Sequence, residues 1–171
     1  MKTLKTHLQE AKLSDYPTVQ NMARFYVYDM SRYCGHLPGW ECPDDGLFEN
    51  FDLKPYFTNN DCHAFLILVG QEKAGFATIN KIGTTPDVDW NMGDFFVLAK
   101  FQGKGIAQQA AKLIFAQFKG RWEVATMPPN TKAHKFWLKV ISACTGQACQ
   151  SEEKIVENPT PHPMMVISFA T

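Results

Sequence analysis

The spacing of apolar positions changes along the chain, and each change marks an element. Residues 6–11 read as a short first strand. Ser14 or Asp15 then supplies an N-cap and Pro17 a first-turn proline. Val19, Met22, Ala23, Tyr26, Val27 and Met30 follow at helical spacing, which predicts a helix to about Arg32. Residues 35–46, punctuated by glycine, proline and acids, read as a loop, and a short helix is expected between residues 50 and 60. Residues 63–69, 74–82 and 88–98 form a meander of three strands, with turns at 70–73 and 84–87.

Helical periodicity resumes at Ile106, Ala110, Leu113, Ile114 and Phe118, with Gly120 as a left-handed terminator. Trp122 and Val124 alternate with Glu123 and Ala125 in a strand that Pro128-Pro129 must stop. Asn130 caps a further helix through Ala133, Phe136, Trp137, Val140 and Ile141. Residues 164–169 are a last strand, which a strand-like segment at 149–156 can pair. The predicted fold is α/β: one domain over residues 1–171, with a mixed, mostly antiparallel sheet, one βαβ crossover and helices on both faces.

Composition narrows the function classes. At 171 residues the chain can bury a real core. Seventeen basic and seventeen acidic residues cancel, so no global field favours nucleic acid or an anionic membrane. The start lacks the apolar run of a signal peptide, and the longest apolar run is far too short to span a bilayer. With five cysteines, an odd number, a reducing cytoplasm is expected. Cys34, His36 and Cys42 match no familiar zinc spacing, so no metal is expected.

The segment richest in chemistry is Phe95-Phe96-Val97-Leu98-Ala99-Lys100-Phe101-Gln102-Gly103-Lys104-Gly105-Ile106-Ala107, a strand running through a glycine loop into a helix. Unpaired amides and the positive end of the macrodipole make such a helix start an anion cradle. It is no nucleotide-triphosphate P-loop, because the spacing and the Lys-Ser/Thr pair are missing. A dinucleotide fold would need a third small residue where Gln108 stands, and further βα units behind the loop. A tight turn with two conformational glycines and no ligand is the remaining structural alternative.

Gln102-Gly103-Lys104-Gly105-Ile106-Ala107 resembles the Gln/Arg-x-x-Gly-x-Gly/Ala signature of the GNAT superfamily of N-acetyltransferases, and Asn130-x-x-Ala133-x-x-x-Trp137 resembles that family's next helix. The likeness covers roughly residues 74–141, and the Phe-Phe-Val-Leu, Gly-Arg-Trp-Glu-Val and Phe-Trp pieces look like a bacterial subgroup known only as predicted acetyltransferases. It implies a GNAT-like fold with acetyl-CoA as co-substrate. Main-chain groups of Phe96 and Val97 would meet the pantetheine arm, and the amides of Gly103, Lys104, Gly105, Ile106 and Ala107 would hold the pyrophosphate. Gln102, Asn130 and Trp137 complete the implied cofactor site.

Trp137 stands where the family often has a tyrosine that protonates the departing thiolate, and an indole N–H is no acid at ordinary pH. Either solvent reprotonates the thiolate or another residue serves; His134, one turn earlier, is the candidate, and its structural alternative is a solvent-facing helix histidine. Asp94 is the candidate base, two residues before Phe96 on the same strand face, acting directly or through water, with Trp90 and Met92 expected beside it; the equal alternative is an acid beside a turn or bulge that only structures the strand. Tyr26, Asp29 and Tyr33 fall at helical spacing and are the candidate acceptor-binding residues, although a half-buried amphipathic helix looks the same. The expectation is therefore acetyl transfer to a primary amine of a small molecule by direct attack in a ternary complex, in a monomer or homodimer. The alternative is a non-catalytic acyl-CoA-binding regulatory module.

Overall fold

The computed structural model describes residues 5–49 and 51–171, so residues 1–4 of the amino-terminal stretch, and Asn50, lie outside the described residues. Among the described residues one sheet contains β1 Thr6–Glu10, β2 His63–Val69, β3 Glu72–Asn80, β4 Trp90–Val97, β5 Arg121–Thr126, β6 Ser151–Val156 and β7 His162–Ala170. Their order across the sheet is β1-β2-β3-β4-β5-β7-β6. Every neighbouring pair is antiparallel except β4 and β5, which run parallel. Parallel neighbours need a crossover, and α3 Ile106–Gln117 provides it. The expected mixed sheet with a single βαβ unit is the one observed.

Helices cover both faces. On one, Val19, Met22 and Ala23 of α1 Tyr16–Cys34 pack with Leu53 against Leu66, Leu68, Phe76 and Phe96. On the other, Ile114 and Phe115 of α3 join Trp137, Val140 and Ile141 of α4 Thr131–Thr145 over Phe65, Ala77, Ile79, Met92 and Val124. Buried Gln20 ties the segment before α2 Pro55–Thr58 to α1. Its Nε2 donates to Glu49 Oε1 at 2.7 Å and to the Phe51 carbonyl at 2.9 Å, and its Oε1 accepts from Leu53 N–H at 2.9 Å. That clamp sets Tyr56 of α2 over the sheet.

Two local expectations need correction. Leu113 is 41% exposed, because the stripe of α3 that meets the sheet is centred on Ala110, Ala111, Ile114 and Phe115. Gly120 does not end α3 in a left-handed turn: φ is +136°, and a Cβ there would fall 2.6 Å from Asp89 Oδ2, so close approach of a neighbouring loop selects glycine. Glu123 of β5 is buried. β5 is a central strand, and the buried carboxylate accepts from Thr84 N–H at 2.7 Å and Thr84 Oγ1 at 2.9 Å, pinning the loop between β3 and β4.

Candidate active site

β4 and β5 pair only at Trp90–Trp122, Asn91–Glu123 and Met92–Val124. Beyond Met92 the two strands separate, and a cleft of about 550 Å³ opens between β4, α3 and α4. Its walls include Phe95, Phe96 and Val97 of β4, Phe101 to Gly103 and Gly105 to Gln108 of the loop and α3, Asn130, Ala133, Phe136 and Trp137 around α4, and Tyr26, Asp29, Met30 and Tyr33 of α1. Residues as far apart in sequence as Tyr26 and Trp137, and with them both motifs, therefore converge on one space.

The phase of the β3–β4 ladder decides which main-chain groups face that opening. Leu98 N–H donates to the Ala74 carbonyl at 2.8 Å, and main-chain polar groups alternate sides along a strand. Leu98 and Phe96 therefore point toward β3, whereas Phe95 and Val97 point toward the gap that β5 has vacated. The expectation for Phe96 is corrected accordingly: Phe95 presents the free main-chain edge, and Phe96 contributes its ring to the wall. Gln102 Nε2 donates to the Val97 carbonyl at 2.8 Å, fixing the strand end to the start of the loop.

Gly103 and Gly105 sit at φ +73° and +77°, conformations that a side chain disfavours. The first bond closing α3 runs from Gln109 N–H to the Gly105 carbonyl at 3.1 Å. The Ile106, Ala107 and Gln108 amides precede that bond, and all three residues line the cleft, so a helix start with its unpaired donors lies at the cleft wall. Lys104 is exposed and its side chain is outside the cleft walls. Asn130 caps α4 as expected, its Oδ1 accepting from Ala133 N–H at 3.2 Å, while its Nδ2 reaches Met30 Sδ at 3.9 Å and joins α4 to α1.

Trp137 is buried, with its ring edge-on to Phe95 and Phe136, both at 5.0 Å between centroids. The place of the family tyrosine is thus filled by an apolar wedge. His134 does not enter the cleft. Its Nε2 lies 2.8 Å from Ser151 Oγ on β6, because the opposite face of α4 meets the returning strands. That placement removes the reason for assigning it a proton.

Asp94 is half-buried on the α1 side of β4, beside Phe96 as expected, but Trp90 and Met92 are not its neighbours. The register pairs Ile79 with Met92 and Thr78 with Asp94, so Gly93 is an extra residue, a β-bulge that reverses the side-chain alternation. Trp90 and Met92 consequently pack under α3 and α4. A Cβ on Gly93 would fall 2.5 Å from Tyr56 Oη and 2.8 Å from Thr78 Oγ1. Asp94 Oδ2 accepts from Thr78 Oγ1 at 2.7 Å. Loss of solvation pushes the Asp94 carboxyl up to about 6, against the lowering effect of the Thr78 hydroxyl. Burial, with the Asp94 charge second, raises the Tyr26 phenol well above its usual range.

Tyr26, Asp29 and Tyr33 do share the cleft, at the end beside Phe96. Tyr26 packs 6.0 Å from Phe96 and 6.1 Å from Phe76. Asp29 Oδ1 pairs with Arg32 Nη2 at 3.4 Å. The contributions that sequence spacing did not single out are Phe95, whose polar edge follows from ladder phase, and Thr78, Tyr56 and Asn80, which long-range pairing gathers around Asp94. Asn80 Nδ2 donates to Tyr56 Oη at 2.8 Å.

Comparison with known proteins agrees with this architecture. A sequence search of curated proteins finds no match. An acetyltransferase from Thermus thermophilus shares 18% identity and a TM-score of 0.68, with all of both chains covered. A GNAT-family acetyltransferase from Bacillus cereus shares 13% identity over 98% of each chain, at TM-score 0.61. A ribosomal L7/L12 α-N-protein acetyltransferase, solved in complex with coenzyme A, shares 15% identity over 99% of this chain and 95% of its own, at TM-score 0.60. The acetyltransferase (GNAT) family model matches residues 22–141, from the first cleft-lining helix to the core of α4. The chain belongs to the GNAT family of acetyltransferases.

Proposed function

We propose that this acetyltransferase transfers the acetyl group of acetyl-CoA to a primary amine of a small-molecule acceptor, by direct attack within a ternary complex. The observation that carries the proposal is the parting of β4 from β5 beyond Met92, which leaves the main-chain edge of Phe95 and Val97 leading straight into the glycine loop. An extended pantetheine arm fits that edge as a substitute strand. The amides from Gly103 to Ala107 receive the diphosphate at the start of α3, and Lys104 adds positive charge outside the walls. Trp137 and Phe136 close the apolar side of the thioester chamber.

The acceptor enters beside α1. Tyr26 and Tyr33 supply aromatic surface and Asp29 a carboxylate, a combination suited to an ammonium-bearing molecule. The attacking amine must be neutral, and Asp94 takes its proton through an intervening water, since the carboxylate sits behind Phe96 and Tyr26 rather than in the cleft wall. The new N–C bond forms as the C–S bond breaks, and the sulfur leaves as thiolate. A thiol with an ordinary pKa of about 8.5 requires little acid assistance, so solvent supplies the final proton without Trp137 or His134.

The test is release of free thiol from acetyl-CoA in the presence of a panel of primary amines: polyamines, aminoglycosides and amino-acid amides. Amine-dependent release with an acetylated product supports the proposal. Tight binding of acetyl-CoA with no turnover on any amine supports the regulatory alternative instead.

A further inference from the structure

Thr78 is fully buried on β3 and makes two hydrogen bonds to one residue across the bulge. Its Oγ1 donates to Asp94 Oδ2 at 2.7 Å and accepts from Asp94 N–H at 2.8 Å. In a regular ladder that amide would bond the opposing carbonyl; the bulge at Gly93 turns it to a hydroxyl instead. Tyr56 Oη closes the other side, crowding the Gly93 α-carbon, and is itself held by Asn80, whose Oδ1 accepts from Asn91 Nδ2 at 3.2 Å and Ile82 N–H at 2.8 Å. The carboxylate therefore sits at the end of a built polar cluster rather than on a bare strand.

We propose that Thr78 is the positioning residue of the proton acceptor: its hydroxyl holds Asp94 ionised and aimed at the α1 side of the cleft, and the Gly93 bulge exists to bring the two together. This rests on Asp94 acting as the base. The titratable groups facing Asp94 are the Tyr26 phenol from α1 and the Tyr56 phenol from α2, both raised above their usual range by burial first and by the Asp94 charge second. Behind them lie the Cys34 thiol, pushed up to about 11 by burial, and the Cys62 thiol, also raised. These groups stay protonated through the neutral range, so Asp94 alone changes charge there. A hydroxyl donating to a carboxylate favours the charged form, and its removal must raise the pKa of the acid.

The experiment compares the full-length wild type with Thr78→Val and Thr78→Ser, reading the Asp94 carboxyl by carbon-13 NMR titration, with Asp94→Asn to assign the signal. Valine should raise the midpoint by about one pH unit, the size expected when a hydrogen bond to a charged group is lost, and serine should restore it. The acid limb of thiol release, measured with the fastest amine of the panel above, should shift by the same amount and return with serine. A midpoint unmoved by valine overturns the positioning role, whatever the kinetics. Full turnover in Asp94→Asn overturns the base assignment instead, and the NMR midpoint still reports on Thr78.

Discussion

Gln102 Nε2 and the Val97 carbonyl, 2.8 Å apart, join the first residue of the glycine motif to the last residue of the strand that faces the cleft. The bond explains why the motif opens with a residue bearing a side-chain donor. It holds the strand end and the amide cradle at a fixed separation, so both ends of one elongated ligand find their partners together. Replacing Gln102 by alanine should raise the Kd for acetyl-CoA about fivefold, the worth of one hydrogen bond of about 1 kcal/mol, with a smaller effect on kcat. Calorimetry on the variant checks this.

Gly105 caps α3 at φ +77°, and a Cβ there would meet only Gln109 Nε2, at an ordinary contact distance of 3.9 Å. Gly105→Ala meets no clash but carries a left-handed penalty of about 1 kcal/mol. The cradle amides should then tilt, weakening acetyl-CoA binding several-fold while thermal stability drops by only a few degrees. Binding and melting measured on the same sample separate the two effects.

The Gly93 bulge is the least tolerant position near the site. A Cβ there meets Tyr56 Oη at 2.5 Å and Thr78 Oγ1 at 2.8 Å, and Thr78 belongs to the neighbouring strand. Gly93→Ala should destabilise the protein by about 2 kcal/mol, in the range of overpacking a filled interior, and should depress turnover disproportionately. Urea unfolding read alongside thiol release tests both halves.

The Asp94 carboxyl, near 6 in the folded chain, lies above its ordinary unfolded value. Between those two values the native state holds a proton that the unfolded state has released, so this group's contribution to stability falls as pH rises from about 4 to about 6. Asp94→Asn should therefore be more stable than the wild type at pH 8, and the advantage should vanish near pH 4. Turnover should change in the opposite sense. The wild-type kcat/KM should rise with pH through about 6, and the variant should lose that limb together with about a hundredfold or more of rate. Urea titrations and rate profiles across this pH range decide it.

Local patterns made much of the fold and one half of the site legible. The glycines at 103 and 105, the Asn130 cap and the apolar stripes of α1 and α4 are specified by neighbours in sequence. Features made by distant pairing were not. The bulge at Gly93 reverses strand parity, so simple alternation puts Trp90 and Met92 beside Asp94 while the folded chain puts them on the other face. Ladder phase, set by Leu98 and Ala74, moves the exposed main-chain edge from Phe96 to Phe95. Glu123 alternates with apolar residues as a surface acid would, yet Thr84 arrives from 39 positions away to bury it. His134 is claimed by Ser151 on a strand whose place no helical pattern reveals.

The central claim is that the opening between β4 and β5 seats acetyl-CoA, with its diphosphate on the amides that follow Gln102. Calorimetric titration of acetyl-CoA into the purified protein tests it most directly. The account predicts saturable one-to-one binding that weakens in Gly105→Ala and in Gln102→Ala. Absence of measurable heat at ligand concentrations well above the micromolar range usual for enzyme substrates, in a folded wild-type sample, would contradict it.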